Sequence, residues 1–245
     1  MNNLTHSKEY IIRTYEVDKN GDLRIITLFN IFQDMADEHA EKLGVGLTFC
    51  LKTGFAWVGS RYHIKINRLP KIHEKIKIKT WPSEQQKFGA VRDFAVVDKD
   101  ENEIISASSL WVLINIERRR PVPLSENLPY FSIHKVRSLQ TEFPKIPEII
   151  NAEKSVDFRV RYDDIDINNH VNNAVYPLWA SEGVDIGFHA DHSIAELEIE
   201  FKKEGLLGET ISVETTMNAE TSLHSVKCKE DGRELSRARI IWKQF

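Results

Sequence analysis

The chain has 245 residues, 41% of them hydrophobic, enough to bury the core of one large domain or of two smaller ones. Its formal charge of −4 argues against nucleic acid as a partner, since such proteins display a basic excess. Cys50 and Cys228 lie far apart and the opening MNNLTHSKEY lacks the order of a signal peptide, so free thiols in a reducing cytoplasm are expected; apolar runs such as 110–114 are too short to cross a membrane.

The first element predicted is a helix over 27–43, where Leu28, Ile31, Phe32, Met35, Ala36 and Leu43 recur at helical spacing. Thr27 is placed to cap it and Gly44 to end it. Strand patterns follow. In KIKIKTW, 75–81, lysines at 75, 77 and 79 alternate with Ile76 and Ile78, the period of a sheet with one wet face. Residues 91–97, the polar turn DKDEN and residues 104–115 read as a long antiparallel hairpin.

Residues 117–148 interrupt this order with Arg118, Arg119, Arg120 and five prolines, Pro121, Pro123, Pro129, Pro144 and Pro147, a composition suited to a connector. Beyond it the order repeats. FRVRY, 158–162, matches IIRTY, 11–15; a helix is predicted over 173–186, then strands at AELEIEF, 195–201, and ISVETT, 211–216. An Asp231-Gly232 turn leads into ELSRARIIW, 234–242, which shares its leading glutamate and closing tryptophan with EIISASSLW, 103–111. Two copies of a helix followed by antiparallel strands make the fold α+β, each helix lying on its own sheet. Pro177 fits the second helix only within its first turn.

The polar segment DDIDINNHVNN, 163–173, stands between a strand and that helix. Asp164, Asp166 and Asn168 have the spacing that opens a calcium loop, but the sixth position is Asn169 rather than glycine and the twelfth is Val175 rather than glutamate. No metal is expected. Asn and Asp also serve as turn formers and helix caps, a sufficient account of Asn172 and Asn173. In a locally extended segment Asp166, Asn168 and His170 would point to one side, converging an acid, an amide and an imidazole. Such a set suits hydrolysis of an activated carbonyl, which needs a base for water and donors for the developing oxyanion. The chain has no G-x-S-x-G elbow, no H-E-x-x-H, no phosphate loop and no dinucleotide fingerprint.

RYDDIDINNHVNNAVYPLWASE, 161–182, resembles the signature of the acyl-acyl carrier protein thioesterases of plant plastids and bacteria, and the likeness runs from about Tyr10 to Trp242. It includes YEVDKNG, ITLFNIFQDMADEHA, the WVLIN strand and the arginine-proline connector. The resemblance implies a double hotdog, two fused repeats of a long helix wrapped by an antiparallel sheet. It divides the chain into an N-terminal repeat, 1–120, that forms the acyl-pocket half, a connector, 121–150, and a C-terminal repeat, 151–245, that carries the catalytic residues.

The catalytic residues so implied are Asp166, Asn168 and His170, with Glu204 from EFKKEG; the cysteine once proposed as nucleophile in plant members falls on Gly205, which leaves water as the nucleophile. Asn168 is expected to position the carbonyl or the water, backbone N–H groups at the start of the following helix to receive the oxyanion, and His170 or Glu204 to act as base. The corresponding turn of the first repeat, VDKNGDL at 17–23, has no histidine and reads as structural. Phe32, Met35 and Trp57 are candidate acyl-binding residues on the resemblance, although buried aromatics and Met more often simply pack in the core. No cofactor is implied. The expected activity is release of free fatty acid from acyl-acyl carrier protein by a cytoplasmic monomer or homodimer, with no membrane or nucleic-acid partner. Coenzyme A thioesters and a non-catalytic acyl-binding module are the alternatives. Lys71, Lys75, Lys77, Lys79, Lys202 and Lys203 are candidate contacts for an acidic carrier.

Overall fold

The computed structural model describes residues 4–244. The chain divides into two compact units, Met1–Glu142 and Phe143–Phe245. In the first, strand β1 (His6–Ile11) is followed by helices α1 (Ile25–Lys42) and α2 (Leu47–Thr53), then strands β2 (Phe55–Ile66), β3 (Lys75–Gln85), β4 (Gly89–Val97), β5 (Glu103–Asn115) and the short β6 (Arg120–Pro121), and a helical turn, α3 (Leu124–Asn127). The second holds β7 (Lys154–Arg159), α4 (Val175–Glu182), β8 (His192–Phe201), β9 (Thr210–Asn218), β10 (Thr221–Cys228) and β11 (Glu234–Gln244). The residues read as connector thus contain β6 and α3.

Duplication is visible in the strand order. The first unit runs β1-β3-β4-β5-β2 and the second β7-β9-β10-β11-β8, the same sequence of neighbours, all antiparallel. In each, the first strand lies at an edge and the principal helix lies between the first and second strands in the chain. The alternation in β3 is realised as expected, with Ile76 and Ile78 buried and the intervening lysines outward. β5 and β11 both begin at the glutamates aligned from sequence, Glu103 and Glu234.

Both helices start elsewhere than predicted. α1 begins at Ile25, because Arg24 is extended and its carbonyl already accepts the N–H of Leu28 at 3.0 Å. Thr27 therefore lies inside the helix, its hydroxyl turned to the Glu16 carbonyl at 3.4 Å rather than capping. Gly44 does follow the helix end, at φ 75°. α4 is shorter than predicted, Val175–Glu182 in place of 173–186. Pro177 is its third residue, where the ring displaces no intrahelical donor. At its end the chain runs close against the sheet at a glycine: a Cβ on Gly183 would lie 2.5 Å from Thr215 Oγ1.

The core of the first unit forms where the apolar face of α1 meets its sheet. Phe32 and Met35 are buried, and Phe32 stacks on Phe94 of β4 with ring centroids 4.4 Å apart. Trp57 packs on a different group, Ala90, Leu113 and Leu124, and donates its indole N–H to the Val45 carbonyl at 2.9 Å. In the second unit Trp179 of α4 lies over Phe158 of β7, and Trp242 of β11 donates to Ser222 at 2.8 Å. Among the described residues, no helix is long and apolar enough to cross a membrane.

Candidate active site

The site is built on two loops of the second unit. After β7 a single 3-10 turn, Tyr162–Asp164, is closed by the buried Asp164, whose carboxylate accepts the Arg161 N–H at 2.8 Å and pairs with the Arg161 guanidinium at 2.7 Å. Asp164 is thereby engaged in holding the turn, which removes the first residue of the calcium-like spacing from consideration as a ligand.

Residues 165–171 follow as a tight reversal rather than the extended segment expected from sequence. Ile165 and Val171 bridge its base, Asp166 N–H donates to the His170 carbonyl at 2.8 Å, and Asn169 N–H returns to the Asp166 carbonyl at 3.0 Å. Asn169 takes the left-handed conformation, φ 63°, that Asn tolerates better than most residues. The organiser is the Asp166 carboxylate, which accepts the backbone N–H of Asn168 at 2.8 Å and of His170 at 3.4 Å, and the Asn168 amide at 3.3 Å. Asp166, Asn168 and His170 are thus brought together by the turn's own hydrogen bonds and not by a shared strand face.

Glu204 arrives from the loop after β8. That loop is fastened by the N–H groups of Lys202 and Lys203, which both donate to the Leu235 carbonyl at 2.8 and 3.1 Å, and by Gly205, whose carbonyl accepts the Val171 N–H at 2.9 Å. The result sets Glu204 Oε2 3.5 Å from His170 Nε2, with the two side chains 46% and 34% exposed. An imidazole and a carboxylate at this separation, open to water, can share and pass a proton; the distance is slightly longer than a hydrogen bond, as is common before substrate binds.

The first unit supplies an internal control. Asp18 accepts the N–H groups of Asn20 and Asp22 at 2.8 and 3.0 Å, its own N–H donates to the Asp22 carbonyl at 2.8 Å, and Val17 bridges Leu23. This is the turn at Asp166 over again, with Asp22 in the place of His170. Asp22 pairs with Lys71 at 2.8 Å. One copy of the turn therefore carries an aspartate–lysine pair and the other an imidazole–carboxylate pair, and the imidazole, with two ring nitrogens, is the group that can both accept and donate a proton. VDKNGDL and IDINNHV align residue for residue, so the correspondence of the two turns read from sequence extends to their hydrogen bonds.

Other expectations fare differently. The start of α4 is a poor oxyanion site: Ala174 N–H is taken by the Asn172 side chain at 3.0 Å, Val175 N–H by the Asn172 carbonyl at 2.9 Å, and Pro177 has no N–H. Asn172 is the turn former it was read to be. Lys75 pairs with Glu9, Lys77 and Lys79 share Glu101, Lys71 pairs with Asp22 and Lys202 with Glu234, so much of the charge of these lysines, though not all of it, is met by a neighbouring carboxylate. Lys203 is exposed, with no carboxylate partner among the described residues. The open cavity beside Pro147, Met217, Leu223 and Arg239 includes none of the four site residues. Cys50 and Cys228 are both unpaired and buried; burial and the bond to Glu230 push the Cys228 thiol up to about 11.

The residue that sequence reasoning passed over is Tyr176. It lies in the quoted segment six residues after His170, and its phenol oxygen accepts the N–H of Gly205, next to Glu204, at 2.9 Å.

Comparison with known proteins agrees across the chain. The family model of the acyl-ACP thioesterase N-terminal domain matches residues 3–129 and that of the acyl-ACP thioesterase C-terminal domain matches 148–244. The chain is 24% identical to an oleoyl-acyl carrier protein thioesterase of Arabidopsis thaliana, over 98% of this chain and 76% of that one. To a dodecanoyl-[acyl-carrier-protein] hydrolase of Umbellularia californica it is 27% identical, over 99% and 69%. In fold it is similar to the crystal structure of an acyl-ACP thioesterase from Bacteroides thetaiotaomicron, TM-score 0.87 at 24% identity with 98% of each chain covered. A 12:0-ACP thioesterase from Umbellularia californica gives TM-score 0.86 at 24% identity, covering 99% of this chain and 98% of that one. With both of its domains matched and the repeated helix-and-sheet architecture in place, this double-hotdog chain belongs to the acyl-ACP thioesterase family.

Proposed function

We propose that the protein hydrolyses the thioester of a fatty acyl-acyl carrier protein, releasing free fatty acid and the carrier's thiol, in the cytoplasm and without metal or cofactor. The observation that carries this reading is the His170–Glu204 pair at 3.5 Å on a turn whose twin in the first unit bears Asp22 and Lys71 instead. In the reaction a water molecule gives a proton to the pair and its oxygen adds to the thioester carbonyl. The tetrahedral intermediate collapses with cleavage of the C–S bond, and the proton held by the pair passes to the departing thiolate. His170 and Glu204 act together as base and then acid. Asp166 sets the turn and so the direction of the imidazole, and Asn168, tied to Asp166, is presented beside it.

Phe32 and Met35, in the core of α1, are the residues of the first repeat proposed to meet the acyl chain; Trp57 packs on a separate group and is proposed for the same role on the resemblance alone. The domain division proposed is the two repeats, 1–120 and 151–245, joined by 121–150, acting as a monomer or a homodimer.

The test is release of free thiol from acyl-carrier and acyl-coenzyme A thioesters over a range of chain lengths. Turnover of the carrier thioesters, faster than of the coenzyme A thioesters, is expected. Tight binding of a non-hydrolysable analogue with no thiol released from any thioester would replace hydrolysis by acyl binding.

A further inference from the structure

Gly205 is held on both sides of its backbone. Its N–H donates to Tyr176 Oη at 2.9 Å, and its carbonyl accepts the N–H of Val171, the residue after His170, at 2.9 Å. Tyr176 is itself immobilised: it is 2% exposed, and its ring packs edge-on against Trp179 at 5.6 Å and against Phe201 at 5.7 Å. Phe201 is the last residue of β8. The ring is therefore braced on the strand that leads into Glu204, while the hydroxyl grips the peptide that leaves it.

The space at Gly205 is closed as well. A Cβ there would lie 3.0 Å from Val171 Cγ2 and 3.2 Å from Tyr176 Oη, so a side chain, a cysteine included, requires Val171 or the phenol to give by a few tenths of an ångström. With Asp18 set on Asp166, Tyr176 falls on Leu28, and the carbonyl that meets Leu23 N–H belongs to Pro70, at 2.9 Å. Proline has no N–H to satisfy and leucine has no oxygen to offer. The phenol clamp belongs to the copy of the turn that carries the imidazole–carboxylate pair.

We propose that Tyr176 is a positioning residue of the active site, fixing the Glu204–Gly205 peptide against the His170 turn so that the Glu204 carboxylate is presented to His170 Nε2. It rests on the reading of His170 and Glu204 as the reacting pair. An unclamped Gly205 N–H would leave a buried donor unpaired and let the loop drift, and a displacement of about 1 Å at a reacting pair is enough to cost on the order of a hundredfold in rate.

The experiment is Tyr176→Phe in the full chain, which removes one oxygen and keeps the ring contacts. Its kcat should fall about ten- to a hundredfold with KM changed by less than about twofold, since the clamp touches no substrate. Independently of turnover, the His170 ring is followed by NMR across a pH titration in wild type, Glu204→Gln and Tyr176→Phe. The change in titration that Glu204→Gln produces should be reproduced in good part by Tyr176→Phe. A Tyr176→Phe protein that titrates as wild type does and keeps its kcat overturns the proposal. If no thioester is hydrolysed but the His170 titration responds, the reading of the reaction fails and the positioning role stands. Should the variant not fold, hydrogen exchange of the Gly205 amide in wild type decides: protection comparable to that of β8 is expected, and exchange at the rate of an open loop refutes the clamp.

Discussion

Asp166 and Asp18 hold the same turn in the two halves of the chain, each accepting the backbone N–H groups of the residues two and four positions further on. Asp18→Ala and Asp166→Ala should therefore each lower stability by about 1–2 kcal/mol, the cost of losing charge-assisted bonds to backbone donors. Only Asp166→Ala should also reduce hydrolysis, because only its turn carries the imidazole. Urea unfolding and thiol release measured on the same preparations check both halves of the statement. Loss of activity in Asp166→Ala with unchanged stability would assign that carboxylate a chemical role instead.

His170→Ala and Glu204→Ala should each reduce kcat by roughly a hundred- to ten-thousand-fold, the range typical of removing a general acid or base. Because the two act on one proton, the double variant should be little worse than either single one. Steady-state kinetics on the four proteins gives the answer, and fully multiplicative losses would show that the residues act in separate steps.

Replacing Cys50 and Cys228 together by serine should leave turnover within about threefold of wild type. Both thiols are buried, burial pushes each up, and Cys228, at about 11, is further held by Glu230, so neither supplies thiolate at neutral pH. Turnover abolished in a variant whose circular dichroism matches wild type would bring back a thiol nucleophile.

His224 predicts a pH effect on stability unconnected with turnover. It is buried on β10 between Thr215 at 3.0 Å and Ser222 at 2.7 Å, and burial holds its imidazole down at about 3. The unfolded chain protonates this side chain below about pH 6.5 while the folded chain does not until about pH 3, so the unfolded state binds more protons across that window. The contribution is fully present above pH 6.5 and is lost as pH falls, approaching about 1.4 kcal/mol per pH unit. Urea unfolding of wild type and His224→Gln at pH 7.5, 6 and 5 should show the wild type losing the larger amount. Equal pH dependence of the two proteins would place His224 among groups that titrate normally when folded.

Much of the fold was legible in the residues because its determinants are local and periodic. Ile76 and Ile78 alternate with lysines whatever surrounds them, and the glutamate-to-tryptophan frames of β5 and β11 repeat because both strands meet the same kind of sheet. Helix limits were less so. Thr27 has the chemistry of a cap but lies within α1, since the extended Arg24 and the Glu16 carbonyl were already placed by the 3-10 turn before it. α4 ends at Glu182, and the residue after it, Gly183, lies against Thr215, a neighbour distant in sequence that no local pattern announces.

The sequence by itself determined the duplicated α+β plan and the identity of the polar residues at the second turn, which follow from spacing and motif, and its resemblance to known proteins carried the family. Only the tertiary structure decided how those residues are arranged. Folding turned the alternating Asp166, Asn168 and His170 into a reversal held by the Asp166 carboxylate, brought Glu204 within 3.5 Å of His170 through bonds to Leu235 and Val171, and set Tyr176 against Gly205. These pairings depend on loops of low intrinsic preference meeting across two sheet connections. No local pattern encodes such a meeting, because the free energy that fixes it comes from the packing of the strands and helix on either side.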